Sequence, residues 1–279
     1  MHLVTDIIHP FTRHQYKKIR RSSSLLHLAI TMNELHRGRI AIKQWKAGVA
    51  LLSIAGRHTP VGKKTKWNVK QWQAATGNSR DHRLYLDLLD VYETKARVQL
   101  PSIRTSLESI IEQADQVVQA LPVLPNAHLK RKILLQGKHH WRRLKIYFKQ
   151  HSCAISDRIL QDHQQLRTSA AWHNIRKDLK RMYFQLKLVK KSVKDKDGNV
   201  AKWLAYTQHI ASQIGDWHDK QNFIMFLQQR MKKLESTNGG IAIKIKKILV
   251  QIRADNRLLM ATIKHDVVNL LPLPLELHT

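Results

Sequence analysis

The chain has 279 residues, 43% of them hydrophobic, which is enough to bury a sizeable core as one large domain or two smaller halves and argues against a disordered chain. Lys and Arg number 49 against 20 Asp and Glu, a formal charge of +29, and 17 His add reserve charge below neutral pH. Self-repulsion of that size destabilises a compact state, so the composition points to a polyanionic partner: nucleic acid, an anionic membrane or inorganic polyphosphate.

No apolar run approaches the roughly 18 residues that span a bilayer. The opening "MHLVTDIIHPFTRHQYKKIRR" has charge where a signal peptide needs its apolar stretch, so a soluble, unsecreted protein is expected. Residues 1–25 are basic and poor in acids, a composition also compatible with an organelle presequence; they are assigned as a lead-in. Cys153 is the single cysteine: it has no partner for an internal disulfide, lacks the companions of a zinc-thiolate site, fits a reducing compartment and reads as structural.

Proline is scarce and alternating strand-like runs are absent, so the chain is expected to be all-α. In residues 35–55, at about 100° per residue, His36, Arg39, Lys43 and Lys46 fall on one side and Ile42, Trp45, Val49 and Leu52 on the other. "GRHTPVGKKTK" reads as a linker, and "GNSRD", with Gly77 and Asp81, as a turn. Residues 101–122 form an amphipathic helix whose Glu108, Glu112 and Asp115 lie apart from Leu107, Ile111, Ala114 and Val118. Arg131, Lys138, Arg142 and Lys149, together with Lys145, make a further basic stripe, and residues 152–162 read as the connection between two halves.

The second half restates the first. His173, Arg176 and Lys180 stand 137 positions after His36, Arg39 and Lys43, and Leu179, Met182, Leu186 and Val189 stand 137 after their apolar counterparts. "GDWHD", with Gly215 and Asp219, follows at an offset of 138. Lys246, Arg253, Arg257 and Lys264 reproduce the stripe begun at Arg131, now at an offset of 115. A matched set of stripes argues for internal duplication, and the change of offset makes the acidic helix 101–122 an extra element of the first repeat. The expected division is a lead-in (1–25), a first repeat (26–151), a second repeat (152–271) and a tail (272–279), each repeat a small antiparallel bundle of about four helices.

On these residues the sequence resembles a CHAD domain, a helical family named for its histidines, in which each repeat opens on a helix with a His, an Arg three residues on and a further base four residues later. Here those are His36, Arg39, Lys43 and His173, Arg176, Lys180, and the family's "LG-x-x-RD" segment is matched by "TGNSRD" and more loosely by "IGDWHD". Tyr183 stands where the second repeat usually has another base. The resemblance runs from about residue 26 to residue 271. It implies two bundles related by a pseudo-twofold axis, with basic helix faces converging on a central groove or pore that binds inorganic polyphosphate. A non-catalytic module without metal or cofactor is expected, cytoplasmic and associated with polyphosphate granules.

The residue chemistry agrees. Polyphosphate is a flexible strand charged at every unit with no bases to read, so its receptor needs rows of Arg, with forked donors, and Lys, with point charge. The candidate anion-binding residues are the four stripes on rigid helices, and affinity should fall steeply with salt. Asp81 and Asp219 are expected to cap a helix or orient a neighbouring base. Trp45, Trp141 and Trp172 are assigned to the core, and of the adjacent His139 and His140 at most one can face the groove.

Nucleic-acid binding is the main alternative, since the same charge supports it, although zinc-finger spacing and RNP-like aromatic motifs are absent. A His-dependent phosphoryl transferase or metal phosphohydrolase is a weaker one, because no HExxH, clustered carboxylates or P-loop is present. Cations around His36 and His173 disfavour metal chelation. A peripheral membrane role would need an apolar face exposed beside a basic one, and the apolar stripes are all assigned to the core.

Overall fold

The computed structural model describes residues 7–56, 61–126, 139–162, 169–190, 193, 195, 198–234, 238–275 and 277. They form α1 (His9–Leu28), α2 (Met32–Gly56), α3 (Lys63–Ala96), α4 (Pro101–Ala120), α5 (His139–Asp162), α6 (Ser169–Val189), α7 (Asn199–Leu234) and α8 (Gly239–Asn269), with no strand among the described residues. Prolines open α1 and α4, where a missing N–H is harmless. The Asp195 carboxylate accepts from the backbone N–H groups of Val200 and Ala201, each at 2.9 Å, and Asn238 accepts from Ile241 at 3.2 Å. α3 ends where Arg97 turns left-handed, φ 51°, and its N–H caps the Glu93 carbonyl.

Among the described residues four helices make each half, and three apolar clusters form the cores. Ile19, Leu26, Ile42, Trp45, Val69 and Trp72 build one core from α1, α2 and α3. Phe148, Leu179, Met182, Leu186, Trp203 and Ile263 build its counterpart from α5 to α8. The distal parts of α3 and α7 meet in a third core, in which Leu89 and Tyr92 join Phe223, Leu227, Ile248 and Ile252. α3 and α7 have 34 and 36 residues, so each is about 50 Å long and reaches from its own bundle into this shared one.

Residues 9–28 are not a lead-in but the first helix of the bundle. The buried face of α1 carries Thr12, Gln15, Ser22 and Ser23 among its apolar residues, which hides it from a hydropathy pattern. Those small side chains serve a close crossing. A Cβ at Gly38 would lie 3.3 Å from Ser22 Cβ, and one at Gly48 would overlap Thr12 Oγ1, so α1 and α2 approach through glycine.

The repeat also divides elsewhere than expected. After α4, the Leu124 N–H donates to Ser23 Oγ of α1 at 3.3 Å; after α8, the Leu275 N–H donates to Ser152 Oγ of α5 at 2.8 Å. Trp72 Nε1 donates to the Pro122 carbonyl at 3.0 Å, and Trp203 Nε1 to that of Leu273 at 2.7 Å. Thus α1 corresponds to α5 and α4 to α8. Residues 101–122 are no insertion, the offset of 115 paired helices that are not equivalent, and a boundary at 151/152 falls within α5. The basic stripes misled because solvated faces at helical period match one another in several registers.

Residues 272–275 and 277 are likewise not a free tail, since Leu275 and Leu277 sit in the second core. Leu275→Ala is expected to lower stability by about 2–5 kcal/mol, whereas Leu273→Ala, at a residue 80% exposed, should stay within about 0.5 kcal/mol of the parent. Urea unfolding of the two variants checks both.

Candidate functional site

α2 packs on α6 and α3 on α7, and the four enclose a cleft of about 590 Å³ between the halves. α2 contributes Arg39, Lys43 and Lys46; α6 contributes His173, Arg176, Lys177, Lys180 and Arg181; α3 contributes Gln73, Arg80 and Asp81; α7 contributes His218, Asp219 and Asn222. The same turns that aim these bases inward bury Ile42, Trp45 and Val49 on one side and Leu179, Met182 and Leu186 on the other.

"GNSRD" and "GDWHD" are not turns; Gly77 and Gly215 lie within α3 and α7. Each glycine clears a seat for an arginine. A Cβ at Gly77 would come 2.7 Å from Arg39 Nη1, and one at Gly215 would come 3.2 Å from Arg176 Nη2. Arg39 Nη1 also donates to the Gln73 carbonyl at 3.2 Å.

Eight cations and two carboxylates line the cleft, and both carboxylates are engaged by one base. Arg80 donates to Asp81 at 2.9 Å and, across the boundary between halves, to Asp219 at 3.2 Å. Burial alone would lower its pKa, but the two carboxylates outweigh burial and raise it. The aspartates therefore orient a base, as one of the sequence readings had it.

The remaining bases are short of counter-charge. Burial first, then neighbouring cations, pushes Lys43 down to about 8 and Lys180 down to about 7. Arg39 and Arg176 are lowered by burial in the same way. His173 and His218 lie with ring centroids 4.8 Å apart and their planes tilted by 43°, and both are lowered mainly by burial. Three donors or acceptors here, His173 Nδ1, Arg176 Nε and His218 Nδ1, are buried with no protein hydrogen-bond partner.

Six of the sixteen sequence candidates line this cleft: Arg39, Lys43, Lys46, His173, Arg176 and Lys180. Lys46 donates to Gln73 Oε1. His36 is exposed on α2 and does not line it, although its counterpart His173 does. The α5 and α8 stripes do not converge on it either. Arg142, Lys149, Lys246, Arg253, Arg257 and Lys264 are exposed on the outer surface, and Lys145 lies over the Trp141 ring at 5.6 Å. Arg131 and Lys138 lie outside the described residues. His140 is buried away from the cleft, and Trp45 and Trp172 are core as expected.

The residues the stripes missed are Arg80, Lys177, Arg181, His218 and Asn222. Arg80 and His218 sit 138 positions apart in the two Gly-Asp segments, so the repeat carried that signal. Lys177 and Arg181 have Ile40 and Gln44 as counterparts, so no repeat could reveal them.

No family model matches the chain, and no curated protein matches it. The crystal structure of the CHAD domain from the plant Ricinus communis does superpose, with a TM-score of 0.65 at 12% identity, over 96% of this chain and 92% of that one. The fold is that of a CHAD domain. Within the CHAD fold the cleft lies where the two halves face each other, as the resemblance in sequence implied, and α2, α3, α6 and α7 supply it.

The lowered lysines make the stability of the protein sensitive to pH. Between the folded values near 7 to 8 and the ordinary lysine value, the unfolded chain binds protons that the folded one does not, so stability rises with pH through that window. Below pH 7 both states are charged and the full penalty is present. Lys180→Met should therefore stabilise the protein at pH 7 by on the order of 2 kcal/mol, after allowance for solvent screening, and flatten the rise in Tm between neutral and alkaline pH. Thermal melts of both proteins across that range measure it.

Proposed function

We propose that this CHAD-fold chain binds inorganic polyphosphate in the cleft between its halves, as a binding module and not an enzyme. The observation that carries the reading is Arg39, Lys43, Arg176 and Lys180 gathered in one recess whose two lining carboxylates are already taken by Arg80. Phosphate oxygens would meet forked donors from the arginines and point charge from the lysines. The recess also favours a thin strand. Lys43 and Lys180 are mostly buried, so a stiff duplex cannot carry its phosphates to them, whereas a flexible chain of phosphates can. Phe184 is the one aromatic residue besides the histidines among those lining the cleft, so base stacking has little to use. A location beside cellular polyphosphate, granules included, goes with this reading.

Competition binding tests it: labelled long-chain polyphosphate against duplex DNA, single-stranded RNA and heparin, at physiological and several-fold higher salt. Polyphosphate should persist after the nucleic acids are lost, and Arg39→Glu with Arg176→Glu should lower its affinity at least about 100-fold, since two charged hydrogen-bonding groups are reversed, with helicity unchanged. Equal competition by every polymer, or unchanged affinity in the double variant, would transfer the site to nucleic acid or to general charge.

Affinity should also fall as pH rises from 7 to 9, because the anion has to restore protons to Lys43 and Lys180. Gly77→Ala provides a finer test. Alanine is favoured over glycine inside a helix by about 1 kcal/mol, so stability should hold or rise, while the added Cβ displaces the Arg39 guanidinium and weakens binding. Calorimetric titration and a melting curve on the same variant read the two effects separately.

A further inference from the structure

α8 is packed against α7, α3 and α5, and its remaining side faces solvent. That side carries Ile243, Val250 and Leu258, which are 62%, 59% and 72% exposed. At about 100° per residue, Ile243 and Val250 fall within about 20° of each other and Leu258 within about 60° of Ile243. The small side chains of Ala254 and Ala261 continue the same line. From Ile243 to Leu258 this ridge runs about 22 Å. The sequence reading assigned every apolar stripe to the core; α8 has two, and the one that faces inward is buried through Ala242, Ile245, Ile248, Leu249, Ile252, Ile263 and Val267.

Bases flank the ridge on both edges. Lys246, Arg253 and Arg257 lie along one, and Lys244 and Lys247 along the other, all exposed. No exposed residue of α8 is acidic. Its two carboxylates are turned to neighbours: Asp255 bonds to Tyr92 and Lys95 at 2.9 and 2.6 Å, and Asp266 accepts from Gln213 at 2.9 Å. None of the ridge or edge residues lines the cleft, so the anion site does not account for them.

From this arrangement we infer that the outer face of α8 docks on an anionic lipid bilayer, with Ile243, Val250 and Leu258 at the acyl boundary and Lys246, Arg253 and Arg257 on headgroup phosphates. An apolar ridge edged with bases is the composition of a helix lying in a membrane interface, where long basic side chains keep their charge at the headgroups. The ridge is convex, which suits a flat deformable surface. A second copy presenting the same face would set like charges against each other, and the exposed acids of α4, Glu108 and Glu112, are too few to match five bases. A bilayer containing anionic lipid supplies the apolar phase and the counter-charge together.

The experiment is co-sedimentation of the full chain with phosphatidylcholine vesicles, with and without phosphatidylglycerol, at raised salt. Binding is expected to the anionic vesicles alone. The combined Ile243→Ser, Val250→Ser and Leu258→Ser variant should bind about tenfold or more weakly with its helicity and melting temperature retained. The cleft variant Arg39→Glu with Arg176→Glu should still bind through this face, which separates this result from the fate of the polyphosphate reading. A polarity-sensitive dye on Val250→Cys, in a Cys153→Ser background, should shift to the blue on the same vesicles. The inference is overturned if the serine variant binds as well as the parent, which would mean adsorption by charge alone, if the dye does not shift, or if neither vesicle binds. It is also overturned if the parent is a dimer that the serine substitutions convert to a monomer, since the face would then belong to a second copy.

Discussion

Arg39, Lys43, Arg176 and Lys180 sit together against their own repulsion, and the rest of the structure is arranged so that they cannot relax apart. Each pair rides on a helix whose opposite side is sealed into a core, through Ile42, Trp45 and Val49 on α2 and Leu179, Met182 and Leu186 on α6. Rotating either helix to move its cations outward would bring those side chains into water, at about 1.5–3 kcal/mol for each large aliphatic exposed. Burial first and the neighbouring cations second therefore appear in the lowered proton affinity of Lys43 and Lys180, and not as a change of shape.

Two further devices hold the halves at this separation. Arg80 holds Asp81 and reaches across to Asp219, so one base bridges a carboxylate from each half and ties the boundary together. Beyond it, Leu89, Tyr92, Phe223 and Leu227 close the third core, which belongs to neither half alone. The glycines opposite Arg39 and Arg176 work at shorter range. They bring guanidinium against backbone where any other residue would push it away, and each gives up about 1 kcal/mol of helix propensity for that approach.

Much of this was legible in the sequence, for a definite reason. α2 and α6 combine a basic stripe with an apolar one, and the pair recurs at an offset of 137 that the Gly-Asp segments of α3 and α7 continue at 138. Arg39, Lys43, Arg176 and Lys180 follow from that recurrence. α1 was illegible because its buried face is built of Thr12, Ser22 and Ser23 meeting glycine, so close packing replaced hydrophobicity as the signal. The α5 and α8 stripes were legible as stripes and misleading as a site: charge at helical period reports which side of a helix is wet, and nothing in the period says whether the water beyond it is a cleft or the open surface. Lys177 and Arg181 had no counterparts to reveal them, and only the packing of α6 on α2 brings them to the cleft.

The repeat of α2 in α6 has a consequence for strand polarity. Arg39 and Lys43 present from one wall nearly what Arg176 and Lys180 present from the other, so for these four bases a linear chain would meet the same donors in the same order from either end, while His173, Lys177 and Arg181 of α6 have no equivalents on the facing wall. A polymer with identical ends loses nothing by this ambiguity and has two equivalent ways to enter. A strand with a chemical direction, whose sugars and phosphates read differently forwards and backwards, could match one wall only by mismatching the other.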